Sequence, residues 1–403
     1  MNALAERYVK LVLALGVHDP DEVDAYYGPP EWPSQAGAAK VGLAQIAADA
    51  ERLSALVSAS PPGGVDELIP LRREYLHRQI EALRARVGML SGLRMTFDEE
   101  SRALYDEVAP THPESYFAST LQDLERLLPG RGPLIDRYDA FKKDFVIPAE
   151  RLGPVLDRSI AECRARTRQH VTLPPEERFT VEYVTDKPWS GYNWYKGGYR
   201  SVIQVNTDLP ISIDRAVDLA CHEGYPGHHV YNALIEKNLV RDRGWVEFSV
   251  YALFSPQSLI AEGTANYGIE VAFPGQERIA FERDVLFVAA GLDPSRAAEY
   301  HEVQTLVDRL SYASNEAARR YLDRDIDRAA AVSWLTRYAL TPAARGEQRT
   351  RFIDKYRSYV INYNLGTDLI RGFIEKRDDG QPARRWDEFV RLLSSPRLPS
   401  TLH

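Results

Sequence analysis

The chain has 403 residues, with 50 Lys and Arg against 58 Asp and Glu and a formal net charge of -8. An acidic chain without a long basic run is a poor partner for nucleic acid or an anionic membrane surface, which leaves small or peptidic partners. Its two cysteines, Cys163 and Cys221, are too few for a disulfide framework and fit a reducing cytoplasm, with Cys221 read as a small buried hydrophobe.

In chain order, the run V-K-L-V-L-A-L-G-V at 9–17 has secretory-like apolarity. Glu6 precedes it, Lys10 interrupts it and Asp19-Pro20-Asp21-Glu22 follows, so it reads as an amphipathic core helix. No other apolar run approaches the ~20 residues of a membrane span. Apolar residues then recur at three and four over 36–58, 65–91, 98–108, 115–128 and 149–171, with Pro or Gly punctuation at 61–64 and 129–133. That spacing predicts helix after helix. Glu74 and His77 form one E-x-x-H without the second copy a di-iron bundle uses, and read as a surface pair.

Near Leu173-Pro174-Pro175 the texture changes. F-T-V-E-Y-V at 179–184 and S-V-I-Q-V-N at 201–206 alternate and read as strands, joined by a segment dense in aromatics and glycine. That segment is either an ordinary packed loop or a wall of a cleft. In the second case the 201–206 strand is the cleft edge, open to pairing with an extended peptide, and Tyr192, Trp194 and Tyr199 are candidate pocket walls.

After Leu209-Pro210, a helix N-capped by Ser212 is predicted to run into C-H-E-G-Y-P-G-H-H-V at 221–230. Metal sites use such imidazole and carboxylate groups. In an unbroken helix His228 would sit roughly 240° around from His222. Pro226, however, clashes with the carbonyl of His222 and Gly227 tolerates unusual dihedrals, so the helix must distort there. With two residues looped out, His228 returns beside His222 and is the preferred second ligand. His229 is kept as an outer or substrate-facing residue, and the choice between the two histidines stays open. The rival is a Pro-Gly helix break flanked by surface histidines. A catalytic zinc usually takes three protein ligands, and the candidate third is Glu262, in S-L-I-A-E-G-T-A-N-Y-G.

Further helices are predicted at about 231–239, 255–272, 276–290, 294–323, 326–339, 346–359 and 386–393. Serine-hydrolase, phosphate-loop and dinucleotide fingerprints are absent.

H-E-G-Y-P-G-H-H, followed about forty residues later by E-G-T-A-N-Y, resembles a bacterial family of uncharacterised proteins with an H-E-x-x-P-G-H-H signature and a downstream E-G-W-A-x-Y. That family is in turn similar to the glutamate-ligand zinc peptidases, the gluzincins. G-G-Y-R-S-V-I-Q-V-N at 197–206 and D-K-Y-R-S-Y-V-I-N-Y-N-L-G at 354–366 resemble two further family segments, and the likeness spans roughly 190–370. Thr264 replaces the family's Trp, a Pro-Gly-Gln before Tyr363 is missing, and Val307-Asp308 continues as Arg309-Leu310-Ser311.

The resemblance implies a zincin-like, mainly α metallopeptidase, and with the patterning above the expected fold is many helices around a cleft and a small antiparallel β-sheet. The helix-heavy patterning and the change of texture near 173 point to a helical lobe at 1–172 and a zincin-like catalytic region at 173–403, unless the two make one continuous domain. The resemblance also implies zinc held by His222, His228 and Glu262, with Glu223 as general base. Tyr363 or His229 would be the second donor to the tetrahedral intermediate.

Tyr267 reads as an outer or core residue. Asp218, Glu270 and Asp308 are possible imidazole acceptors, and Arg309, Arg319 and Arg320 possible binders of a peptide terminus. The expected substrate is a peptide or small amide, with no nucleic acid or membrane partner and the oligomeric state open. Two alternatives remain: a catalytically silent helical binding scaffold, and a metal-dependent hydrolase of non-peptide amides.

Overall fold

The structure, a computed structural model, describes residues 1–61, 66–187 and 189–403; the punctuation expected at 61–64 lies, from 62 onward, outside the described residues. The protein is mainly helical, with a small amount of sheet. Helices Asn2–Gly16, Leu43–Ala59 and Leu68–Leu90 pack apolar faces into one cluster that includes Val9, Val12, Leu53, Ile80 and Leu83. The helix expected over 36–58 is two, Glu31–Ala39 and Leu43–Ala59, separated at Lys40, whose φ of 45° is left-handed. A larger apolar cluster runs from Ala25 to Leu402 and surrounds the catalytic candidates.

Strand β1, Val23–Tyr26, pairs antiparallel with β5, Val250–Ala252. This ladder ties the N-terminal helices to the segment that leads into the Glu262 helix. The second sheet joins β2, Arg178–Val184, β3, Gly191–Tyr195, and β4, Arg200–Asn206, in the order β2-β4-β3.

Two expectations are corrected here. The three-stranded sheet is mixed, because β2 and β4 run parallel and β3 and β4 antiparallel. The 201–206 strand is central rather than the cleft edge, since it pairs with β2 on one side and β3 on the other, and its alternating Ser201, Ile203 and Val205 are buried on one face of the sheet. The edge nearest the site is β3, drawn from the aromatic and glycine segment.

A third correction concerns the cysteines. Cys163, in helix Leu152–Arg168, and Cys221, one residue before His222, form a disulfide with Cα atoms 5.8 Å apart. They lie 58 residues apart in the chain, and only the packing of that helix beneath the turn at 220–224 brings them together.

Helix Pro256–Ala272 is buried almost throughout, as expected of a helix with small or apolar residues on every side. It crosses helix Ile361–Glu375 at two glycines. A Cβ on Gly263 would stand 2.5 Å from the backbone carbonyl of Gly366, and neither backbone can yield by rotating a side chain. Gly263→Ala is therefore expected to cost about 2 to 3 kcal/mol of stability through overpacking, read as a lower urea midpoint. The same crossing sets Glu262 against the segment that carries Tyr359 and Tyr363.

Candidate metal centre

Helix Ile213–Leu219 loosens into a wider turn over Ala220–Gly224, Tyr225 is extended, and a new helix begins at His228. The Tyr225 amide donates to Ala220 O at 3.1 Å and the Gly227 amide to Cys221 O at 2.9 Å, so the backbone folds back on itself across Pro226. Any Cβ at 227 would strike the carbonyl oxygens of Cys221 and His222, which is why the position demands glycine.

The reversal sets the two imidazoles side by side. His228 Nε2 lies 3.1 Å from His222 Nε2, and Glu262 Oε2 lies 3.3 Å from His222 Nε2 and 3.7 Å from His228 Nε2. Donors about 2.0–2.1 Å from a tetrahedral zinc would stand roughly 3.3 Å apart, so this triangle has the size a zinc site needs. Glu262 Oε2 is buried without a hydrogen-bond partner, an arrangement that suits a cation and is costly otherwise. Two imidazoles and a carboxylate are also the donor set of known catalytic zinc sites.

The electrostatics agree. Burial alone would lower the proton affinity of His228, but Glu262, Glu223 and Asp24 outweigh it and raise the pKa to about 9. Burial pushes Glu262 up, and the two histidines more than reverse this, so its carboxyl stays far below the usual range. The carboxylates around His228 thus set up a negative field at the donor atoms, of the sign that attracts a cation.

Outer hydrogen bonds fix the donors. His222 Nδ1 meets Asn266 Oδ1 at 2.9 Å, and Asn266 Nδ2 donates to Tyr363 O at 3.2 Å. Tyr359 Oη donates to Glu262 Oε1 at 2.7 Å, leaving Oε2 to face the imidazoles. Asn266→Ala is expected to weaken zinc binding about 10- to 100-fold, measured by competition with a chromophoric chelator.

The anticipated acceptors are bonded elsewhere: Asp218 to Arg215 and Arg278, and Glu270 to Arg371. Asp308 holds neither imidazole. Asn266 sits one turn beyond Glu262 and was open to inference from that spacing. Tyr359 lies within the 354–366 segment, but only the helix crossing brings it to Glu262.

The triad opens on a cavity of about 1300 Å³ that Glu223 and Tyr363 also line. Glu223 follows His222 on the same turn, and its Oε1 faces β3, where a Cβ on Gly191 would approach to 3.0 Å. Burial, with Glu262 and Glu223 nearby, holds the Tyr363 phenol well above its usual pKa, so it remains a donor.

Asp24 enters the cavity from β1 and accepts a hydrogen bond from Tyr192 Oη. Burial raises it to about 6 despite that bond. No sequence signal pointed to Asp24.

His229 does not reach this cavity, which corrects its expected place facing substrate. It is fully buried, with Nδ1 2.9 Å from Ser201 Oγ and Nε2 3.0 Å from Glu177 Oε2. Glu177 also accepts from Tyr225 Oη at 2.6 Å and from Arg164 and Arg168, each at 2.9 Å. Burial would raise this carboxyl, but those four donors outweigh it and hold the pKa at about 2. Glu177 thus clamps both sides of the Pro-Gly reversal.

Of the candidate pocket walls, Tyr192 lines the cavity, whereas Trp194 bonds Gln204 at 3.0 Å and Tyr199 stacks under Arg241. Tyr267 is a core residue against Phe389. Arg319 is buried with Glu316 and Asp98, Arg320 lies over Trp334, and Arg309 alone of the three lines the cavity. Thr264 turns its hydroxyl back onto Ile260 O at 2.8 Å, within its own helix.

No family model and no curated protein matches the chain. Among solved structures, a candidate lipoprotein from Colwellia psychrerythraea is similar at a TM-score of 0.55 and 15% identity, over 88% of this chain and 68% of that one. A candidate lipoprotein of unknown function from Shewanella oneidensis aligns at 0.48 and 15% identity, over 92% and 74%. An M32 carboxypeptidase from Deinococcus radiodurans R1 aligns at 0.40 and 13% identity, over 97% and 88%. The first of these likenesses establishes a shared fold and carries nothing about activity.

Proposed function

We propose that the protein is a zinc-dependent hydrolase that cleaves peptide bonds. The observation that carries this function is the convergence of His222, His228 and Glu262 donor atoms within 4.8 Å of one another, on a cavity that also holds Glu223. Zinc held by these three residues would supply a Lewis acid that polarises a carbonyl and lowers the pKa of water to about 7. Glu223 takes the proton of the attacking water and delivers it to the leaving amine as the C–N bond breaks. Tyr363, kept protonated by its surroundings, donates a hydrogen bond to the oxygen that gains charge. Asn266 and Tyr359 hold the donor atoms in place, so little reorganisation is needed as the reaction proceeds.

The Cys163–Cys221 pair favours an oxidising compartment over the cytoplasm expected from cysteine count. No helix among the described residues is long and apolar enough to cross a membrane.

Digestion of a mixed peptide library, followed by mass spectrometry, tests the function. Cleavage should vanish on chelation and return with one equivalent of zinc. A protein carrying one zinc per chain that cuts no peptide would instead be the binding scaffold.

A further inference from the structure

The arginines lining the cavity fall into two groups. Arg215, Arg278 and Arg371 are held by carboxylates, Arg278 by both Asp218 and Glu282 at 2.8 Å. Arg309, Arg345 and Arg349 have no ion pair among the described residues, and the first two are exposed.

Arg349, on helix Ala343–Tyr356, is different because it is partly buried. Its guanidinium lies 4.9 Å from the Phe352 ring centre and 6.0 Å from that of Tyr363. The Tyr363 ring is 5.9 Å from Tyr359, whose hydroxyl binds the ligand Glu262. An aromatic wall thus connects this cation to the metal triad. Burial weakens its hold on its proton, as expected of a guanidinium kept from water without a counter-charge. Such a group is costly unless an anion arrives to pair with it. The planar fork fits a carboxylate through two parallel hydrogen bonds.

We propose that Arg349 receives the C-terminal carboxylate of a peptide, so that the protein trims chains from that end. This rests on the hydrolase function above and deepens it by naming the substrate class. It also replaces the three arginines expected from sequence, two of which lie outside the cavity. A carboxylate could equally come from an acidic side chain, and the peptides below separate the two sources.

The test uses zinc-loaded Glu223→Gln protein, which should hold peptide without turning it over. Binding is measured calorimetrically for one peptide as the free acid, for its C-terminal amide, and for an amide ending in glutamate. The free acid should bind roughly 30-fold or more tightly than either amide. Arg349→Gln in the same background should bring the acid down to the level of its amide and leave amide binding unchanged. Arg349→Lys should restore part of the preference. Equal binding of acid and amide by the unsubstituted arginine protein would overturn the assignment without any variant, and tight binding of the glutamate amide would move it to side-chain recognition. If the wild type cleaves acid and amide peptides alike, Arg349 loses this role while the hydrolase function stands. Acid-selective binding with no cleavage by the wild type would remove the hydrolase function and leave the role of Arg349 intact.

Discussion

Replacing Glu223 by glutamine is expected to lower kcat between about 100-fold and 10,000-fold while zinc content stays at one per chain. The side chain is isosteric and is not one of the three clustered donors, so the metal triangle should survive. What is lost is a base next to His222, where the turn brings a carboxylate against the edge strand at Gly191. A loss confined to kcat, with peptide binding retained, would place Glu223 in the chemical step rather than in ground-state binding. Unimpaired cleavage would remove it from the mechanism.

The adjacent histidines should separate cleanly. His228→Ala removes one of three donors, and zinc affinity should fall by more than the 10- to 100-fold attached to an outer partner such as Asn266. His229→Ala should leave zinc content unchanged, because His229 points into the Glu177 clamp instead of the cavity. Its cost should appear as stability, about 1 to 3 kcal/mol, since Ser201 and Glu177 each lose a buried partner. Metal analysis and a urea titration of both variants check the pair. Zinc loss in the His229 variant with retention in the His228 variant would reverse the assignment.

The turn that pairs His222 with His228 could be read from sequence because its geometry is local. Pro226 and Gly227 break the helix by their own stereochemistry, so the meeting of His222 with His228 follows from eight consecutive residues. Most helices were equally readable, since apolar spacing follows burial. The break at Lys40 was not, as nothing in composition announces a single left-handed residue. Helices Leu134–Lys143 and Ile361–Glu375 were also missed; the second carries Tyr363 and Gly366.

What stayed hidden was long-range. The parallel pairing of β2 with β4, the bond between Cys163 and Cys221, and the arrival of Asp24 from β1 each join segments that sequence treats as independent. Counting cysteines argued against a disulfide framework and for a reducing cytoplasm, because a count says nothing of which helix packs beneath which turn. Glu177 shows the same limit: it follows a Pro-Pro pair without distinction, yet it receives four hydrogen bonds that hold the reversal in shape.

Anomalous diffraction at the zinc absorption edge, from crystals grown with one equivalent of zinc, addresses the centre directly. A single peak within about 2.2 Å of His222 Nε2, His228 Nε2 and Glu262 Oε2 is the predicted result. No peak there, or a peak held by other side chains while these three stay apart from it, would contradict the metal centre and the hydrolysis assigned to it.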